Sequence, residues 1–341
     1  MHGPETVAAP ARAVRRRGTA ASSLALRTLL GALSPRGPRA RLSILIFHRV
    51  LPSPDPLAPY EPDVERFDRI VGWLADWFTV LPLGEAVERL KTGSLPARAA
   101  CITFDDGYAD NYTCALPVLL RHGLPATFFI ATGFLDGGRM WNDELIEAVR
   151  ATPHERLDLE RLGLGILPTS TDAEKRAALA RIIPALKHLP RDERKDAVAA
   201  VVERCGATTD TALMMTSAQV RALRAAGMEI GAHTVTHPIL VKCDETAARN
   251  EIAQSREHLE ALLGERVGLF AYPNGKLGGD YAPSHARLVA DLGFDAAVTT
   301  NPGASRAGDD IFQLRRFTPC DREAWRFGVR LALNLLPARN R

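Results

Sequence analysis

Cysteine is scarce in this chain. The five residues, Cys101, Cys114, Cys205, Cys243 and Cys320, are odd in number and include no Cys-x-x-Cys pair, which gives no support to a disulfide framework and favours a reducing compartment. Cys101 lies in an apolar run and reads as a small buried hydrophobe. Net charge is nearly absent: +3 over 341 residues gives no reason to propose nucleic acid as a partner. No long apolar run is present. The longest near the start, residues 24–33, contains Arg27 and is too short to span a membrane. Because Arg15, Arg16 and Arg17 precede it, a signal peptide comes to mind. Arg27 and the sequel Pro35-Arg36-Gly37-Pro38-Arg39 argue against one. A leader of residues 1–40 is expected instead, either flexible or carrying an amphipathic helix that rests on the main domain or on a membrane surface as a peripheral contact. No repeat at solenoid or propeller spacing occurs, and oligomeric state is not legible. With 46% apolar residues the chain can still bury a substantial core.

What is present concentrates in two short strings. Residues 103–108 read Thr103-Phe104-Asp105-Asp106-Gly107-Tyr108, after the apolar run 99–102. Neighbouring strand residues face opposite sides, so both acids serve one site only if the strand ends there and the chain turns. Gly107 supplies a turn. Two crowded carboxylates repel, and a cation or a shared proton must relieve them. The same residues would also make an ordinary Asp-Gly turn. Far downstream, Gly231-Ala232-His233-Thr234-Val235-Thr236-His237-Pro238 places two histidines four apart, and Pro238 disfavours a helix there. Imidazole and carboxylate suit a divalent first-row metal, and two His with one Asp leave positions open for water. No Glu follows the first His, so this is not the zincin arrangement. Thr234 and Thr236 either brace the histidine loop or are plain loop polarity.

Strand-like runs at residues 42–47, 99–104, 126–131, 267–272, 294–299 and 312–317 alternate with helical periodicity at 64–78, 109–122 (interrupted near Pro117), 217–226 and 246–263. That alternation argues for a parallel sheet or barrel. Residues 139–215 change character. They are rich in Arg, Glu, Ala and Leu, with helical patterns at 172–188 and 191–205, and read as a helical insertion. One barrel domain over 41–341, so interrupted, is expected.

The strings resemble the motifs of the polysaccharide deacetylase family, the group sharing the NodB-type homology domain of carbohydrate esterase family 4. Residues 103–108 resemble its first motif, 233–237 its second, and Phe270-Ala271-Tyr272-Pro273-Asn274-Gly275 its third. The resemblance spans residues 41–320. It implies an α/β fold, a distorted and incomplete (β/α) barrel with its site at the C-terminal strand ends. It implies metal-dependent N-deacetylation of an N-acetylated glycan: Asp106, His233 and His237 on a divalent metal (zinc first, with cobalt, nickel or manganese as alternatives), Asp105 as general base, and the Tyr272 N–H as oxyanion donor. Two departures stand out. The Arg that opens the third motif is replaced by Ala271, leaving Arg315 or Arg316 as substitute unless both are surface charges; at most one can point inward. The late His that serves as acid is missing, and His48, at the end of the first strand, takes its place; biofilm poly-N-acetylglucosamine deacetylases carry a similar strand-end His. Substrate contacts are expected from Tyr108, Asn111, Tyr112, Trp141, Asn142, Asp143, Asn274 and Arg316, although Trp141 suits a core position equally. Two other readings stay open: a metal-dependent amide hydrolase of a non-sugar substrate, and a carbohydrate-binding pseudoenzyme. The glycan is not legible. The lack of a clear secretion signal favours a cytoplasmic, membrane-associated location, with secreted or periplasmic placement open.

Overall fold

The computed structural model of the chain describes residues 20–207 and 212–336. In chain order the elements are α1 (Ala20–Leu33), β1 (Arg41–Phe47), α2 (Val64–Trp77), β2 (Thr79–Val80), α3 (Leu83–Lys91), β3 (Ala99–Phe104), α4 (Leu116–His122), β4 (Thr127–Ile130), α5 (Trp141–Ala151), β5 (Arg156–Leu159), β6 (Gly165–Pro168), α6 (Asp172–Lys187), α7 (Arg191–Cys205), α8 (Ser217–Ala225), β7 (Glu229–Ala232), α9 (Glu245–Leu263), β8 (Leu269–Ala271), α10 (Pro283–Asp291), β9 (Ala296–Pro302), β10 (Ser305–Arg306), β11 (Leu314–Phe317) and α11 (Ala324–Asn334).

Seven strands pair in parallel around a ring in the order β1-β3-β4-β7-β8-β9-β11, and β11 returns to β1. The expected barrel is therefore short of eight strands yet closed by hydrogen bonds. β2 extends β3 outside the ring, and β10 runs antiparallel to β1. The two-residue period of β3 sorts its side chains: Ala99 and Cys101 join one apolar cluster with Leu42, Ala271, Val298 and Leu314, while Ala100, Ile102 and Phe104 join the larger cluster that also holds the α2 face. The strands are apolar on both faces because helices cover the outside and side chains fill the lumen.

Residues 141–205 carry their own core, built from α5, α6, α7 and the β5–β6 hairpin around Leu145, Leu157, Leu179, Ile182 and Val201. The hairpin adds two short strands to the helices expected in this insertion. Its strands are four residues each with an exposed-buried alternation, too short to register against the surrounding helical composition.

Of the expected leader, the cluster Arg15–Arg17 lies outside the described residues. The expectation of a flexible segment does not hold for residues 20–33, which form α1. Leu30 is fully buried, and the Trp77 indole donates to the Ser23 hydroxyl at 3.0 Å. No helix among the described residues is long and apolar enough to cross a membrane.

Candidate metal centre

β3 ends at Phe104, and the chain turns at once. The Asp105 N–H still donates to the Phe47 carbonyl (2.9 Å), continuing the β1–β3 ladder. Asp106 has φ +76 and Gly107 φ +93. A Cβ on Gly107 would meet Ile130 at 3.4 Å on top of that left-handed backbone, so glycine is required there. The turn brings both carboxylates to the mouth of the barrel, where they are buried at 2% and 7% exposure. Four of the six described non-glycine residues with positive φ, Asp106, Thr234, His237 and Asn274, belong to this site. Strain of this kind is held only where surrounding contacts over-determine the backbone.

The histidine string delivers the other half. β7 ends at Ala232, and the His233 Nδ1 lies 2.7 Å from the Ala271 carbonyl oxygen. A carbonyl only accepts, so Nδ1 carries the proton and Nε2 is left to face Asp106. Both His233 Nε2 and His237 Nε2 stand 3.4 Å from Asp106 Oδ1. One ligand atom from each of the three residues lies within 4.8 Å of the others. Asp106 Oδ1 is buried without a hydrogen-bond partner, and an orphaned buried carboxylate oxygen facing two imidazole nitrogens fits a divalent cation. Burial opposes ionisation of Asp106, but the two imidazoles hold its carboxyl far below the usual range. Burial pushes His237 down to about 4, so its imidazole is neutral and ligand-ready near pH 7.

The loop is braced as anticipated for one threonine and more fully for the other. The Thr234 hydroxyl accepts from the His237 N–H at 3.1 Å. The Thr236 hydroxyl donates to Glu251 on α9, whose carboxylate also accepts the Val235 and Thr236 N–H groups. Glu251 is invisible in sequence because it sits mid-helix among other charges. Glu251→Ala frees the loop and is expected to weaken zinc binding about 10–100-fold with the fold retained, as read by titration calorimetry and circular dichroism.

Asp105 is paired with Arg316. Two parallel bonds of 2.7 Å join the guanidinium to both carboxylate oxygens, and Nε donates to the Thr299 carbonyl. In β11, Leu314 and Arg316 face the lumen, while Arg315 is exposed. Arg316 thus stands in for the arginine missing at Ala271, whose small side chain lies in the same lumen cluster. Arg316 is itself 1% exposed, which corrects its expected role as a substrate contact. Burial raises the Asp105 carboxyl, yet Arg316, with His233, holds it below the ordinary value.

A cavity of about 380 Å³ opens over these groups. His48, Asp105, Asp106, His233, His237 and Asn274 line it from the barrel, and Trp141, Asn142, Asp143, Lys187 and Arg194 from the insertion. Tyr108 lines it too, but its hydroxyl donates to Asp143 at 3.1 Å and the Arg49 guanidinium lies 4.7 Å over its ring. Asn111 is corrected: it is fully buried on a single π-helical turn, donating to the His48 carbonyl at 2.8 Å, so it positions His48. Tyr112 packs half-buried against the barrel core. Tyr272 is also corrected. Its N–H donates to the Val298 carbonyl at 3.2 Å, and its ring stacks on Tyr281, centroids 4.0 Å apart. The β8–β9 ladder has taken the donor, and Asn274, two residues on, is the part of that turn at the cavity.

Burial raises Asp143 to about 7. A carboxyl raised on folding destabilises the fold as pH climbs from its unfolded value to its folded one. With chelator present, Asp143→Asn is expected to remove a loss of stability that the parent shows between about pH 4 and 7, measured by denaturant unfolding across that range. Equal pH slopes for both proteins would contradict it.

The model of the polysaccharide deacetylase family matches residues 92–156 and 172–297, more than half of the chain. The chain belongs to the polysaccharide deacetylase family. Its members hydrolyse N-acetyl groups on glycans and are generally dependent on a divalent metal, in keeping with the Asp106–His233–His237 cluster. YxkH of Bacillus subtilis (strain 168), named as a polysaccharide deacetylase, is 22% identical over 279 residues, covering 81% of this chain and 71% of the relative. Among solved structures, the Streptococcus pyogenes deacetylase PplD in complex with acetate superposes with a TM-score of 0.59 at 20% identity, over 87% of this chain and 99% of that one. IcaB from Ammonifex degensii superposes with a TM-score of 0.56 at 19% identity, over 89% and 98%. These likenesses establish the barrel of the deacetylase family as the fold.

Proposed function

We propose that this chain removes the acetyl group from an N-acetylated sugar by hydrolysis, with Asp106, His233 and His237 holding a divalent cation, zinc first among the candidates. The observation that carries the reading is the convergence of those three ligand atoms beside a carboxylate, Asp105, that is clamped by Arg316. The cation, when bound, polarises the acetyl carbonyl and acidifies water. Asp105 takes the proton of the attacking water. Its two hydrogen bonds to Arg316 fix the carboxylate plane and keep it ionised. His48 lines the same cavity and is assigned the acid that protonates the leaving amine. The N–H of Asn274, not that of Tyr272, is assigned to the developing oxyanion. Trp141 and Asn142 border the sugar.

The departures that favoured a pseudoenzyme are thereby met by residues from other parts of the chain: Arg316 for the absent motif arginine, His48 for the absent late histidine. The test is acetate release from an acetylated chito-oligosaccharide by parent and His48→Ala, with bound metal quantified. His48→Ala is expected to lose about 10²–10⁴-fold in turnover while keeping its metal. Near-parental turnover would remove His48 from the mechanism, and metal without acetate from any glycan would favour the non-sugar amide hydrolase.

A further inference from the structure

The cavity is not electrically uniform. Every acid that lines it has a partner. Asp105 has Arg316, Asp106 faces the imidazoles, Glu61 accepts the Arg49 N–H, and Asp143, from the insertion, accepts from Tyr108. At its insertion end the balance reverses. Arg150 is held by Asp55 through two bonds of 3.0 and 2.6 Å. Lys187, the last residue of α6, and Arg194, in α7, also line the cavity and form no salt bridge among the described residues. Arg194 reaches the Lys187 carbonyl (3.3 Å) and lies 5.2 Å over the Trp141 ring. Its guanidinium is half-buried, and burial lowers its pKa with no carboxylate to offset the cost. Two cationic side chains that line one cavity, neither in a salt bridge with a carboxylate among the described residues, call for a counter-ion from the ligand.

We propose that Lys187 and Arg194 form a subsite for an oxyanion carried by the substrate, so that the N-acetylated sugar bears a phosphate or a carboxylate beside the unit that is deacetylated. This rests on the deacetylase reading, and the insertion then serves to read charge. The expected result with full-length, metal-loaded protein is that kcat/KM for N-acetylglucosamine 1-phosphate exceeds that for the neutral methyl glycoside by about tenfold or more, the advantage shrinking with added salt. In Lys187→Gln/Arg194→Gln the advantage falls to about onefold, and Lys187→Arg/Arg194→Lys restores much of it. An N-acetylated oligosaccharide containing uronate distinguishes carboxylate from phosphate. Equal kcat/KM for charged and neutral sugars in the parent, or an advantage that survives the double substitution, overturns the proposal. If neither sugar releases acetate, the acetylated chito-oligosaccharide decides the deacetylase reading, and calorimetric binding of the sugar phosphate decides the subsite: about tenfold weaker in the double variant if it stands, unchanged if it does not.

A separate observation concerns α1 and α11. Of the ten large apolar residues that are exposed among the described residues, six (Leu24, Leu29, Trp325, Val329, Leu333 and Leu336) lie on these two helices or just past α11. The helices pack on each other where Gly328 leaves room for Leu26. Trp325, Val329 and Leu333 recur every fourth residue, which makes one stripe. Arg27 on α1 and Arg322, two residues before α11, are exposed, and Arg15, Arg16 and Arg17 precede α1 in sequence. We infer that this face docks on an anionic bilayer surface, apolar side chains in the interface and arginines on the headgroups. The full chain should sediment with vesicles containing about one-third phosphatidylglycerol and much less with phosphatidylcholine alone. Leu29→Glu/Leu333→Glu should reduce binding about tenfold or more, whereas Leu120→Glu, an exposed apolar residue on α4, should not. No sedimentation with anionic vesicles, or a dimer in solution that the double substitution dissociates, overturns it.

Discussion

Arg316→Met is expected to abolish deacetylation and to destabilise the fold by about 3–5 kcal/mol, the usual cost of removing one partner of a buried ion pair. The reason is geometric. Asp105 is 2% exposed, and both its oxygens are occupied by one guanidinium. Without Arg316 the carboxylate keeps only the imidazoles of His233 (4.0 Å) and His48 to oppose burial, the largest influence on it, and its pKa then rises. The sign of the pH dependence follows. In the parent the lowered Asp105 pKa contributes stability that is full above the unfolded value and is lost as pH falls through the folded value. In the variant that contribution is missing at neutral pH, and the gap between the two proteins narrows on acidification. Arg316→Lys keeps the charge but not the fork, and is expected to recover part of the stability and little of the activity. Chemical denaturation at two pH values, with acetate release, checks both. A variant as stable as the parent at neutral pH would show that the clamp is incidental.

Asp106→Asn carries the second large effect. It preserves volume and removes the one anionic ligand of the three-residue cluster. Metal bound by the purified protein is expected to fall from about one equivalent to a small fraction, with turnover down by more than about 10³-fold, because both carbonyl polarisation and water activation depend on the ion. Elemental analysis after dialysis, with zinc titration, measures it. Retention of a full equivalent would mean that the cluster of Asp106, His233 and His237 is not the metal site, and the proposed mechanism would lose its basis.

Much of this was legible in short strings. The Asp105–Asp106 turn and the His233–His237 pair each sit where an apolar run stops at polar residues, and a strand end at a barrel mouth produces that pattern. β3, α2, α6 and α7 match their expected bounds to within a residue or so: β3 is one unbroken apolar run, α2 carries a helical apolar stripe, and α6 and α7 are rich in the good helix formers Ala, Leu, Glu, Lys and Arg. Where the reading failed, the deciding fact was orientation. Tyr272 and Asn274 belong to one turn, and only the β8–β9 pairing decides whose N–H is free. Asn111 follows the Asp motif closely, but a π-helical turn aims its amide at the His48 carbonyl. The β5–β6 hairpin is held by partners in α6 and α7, and its own four-residue strands carry too little pattern to announce it.

Local order determined that this is an α/β chain with two adjacent acids at a strand end, a histidine pair far downstream and a change of character after the third main strand, since periodicity and adjacency are properties of neighbouring residues; the resemblance to the family supplied which acid would bind a metal and which would act as base. Which arginine clamps Asp105, which histidine and which amide face the cavity, and that the insertion lends it two cations were decided only by closure of the barrel. Those contacts join residues such as 105 and 316, more than two hundred positions apart, and no local pattern records a partner at that distance.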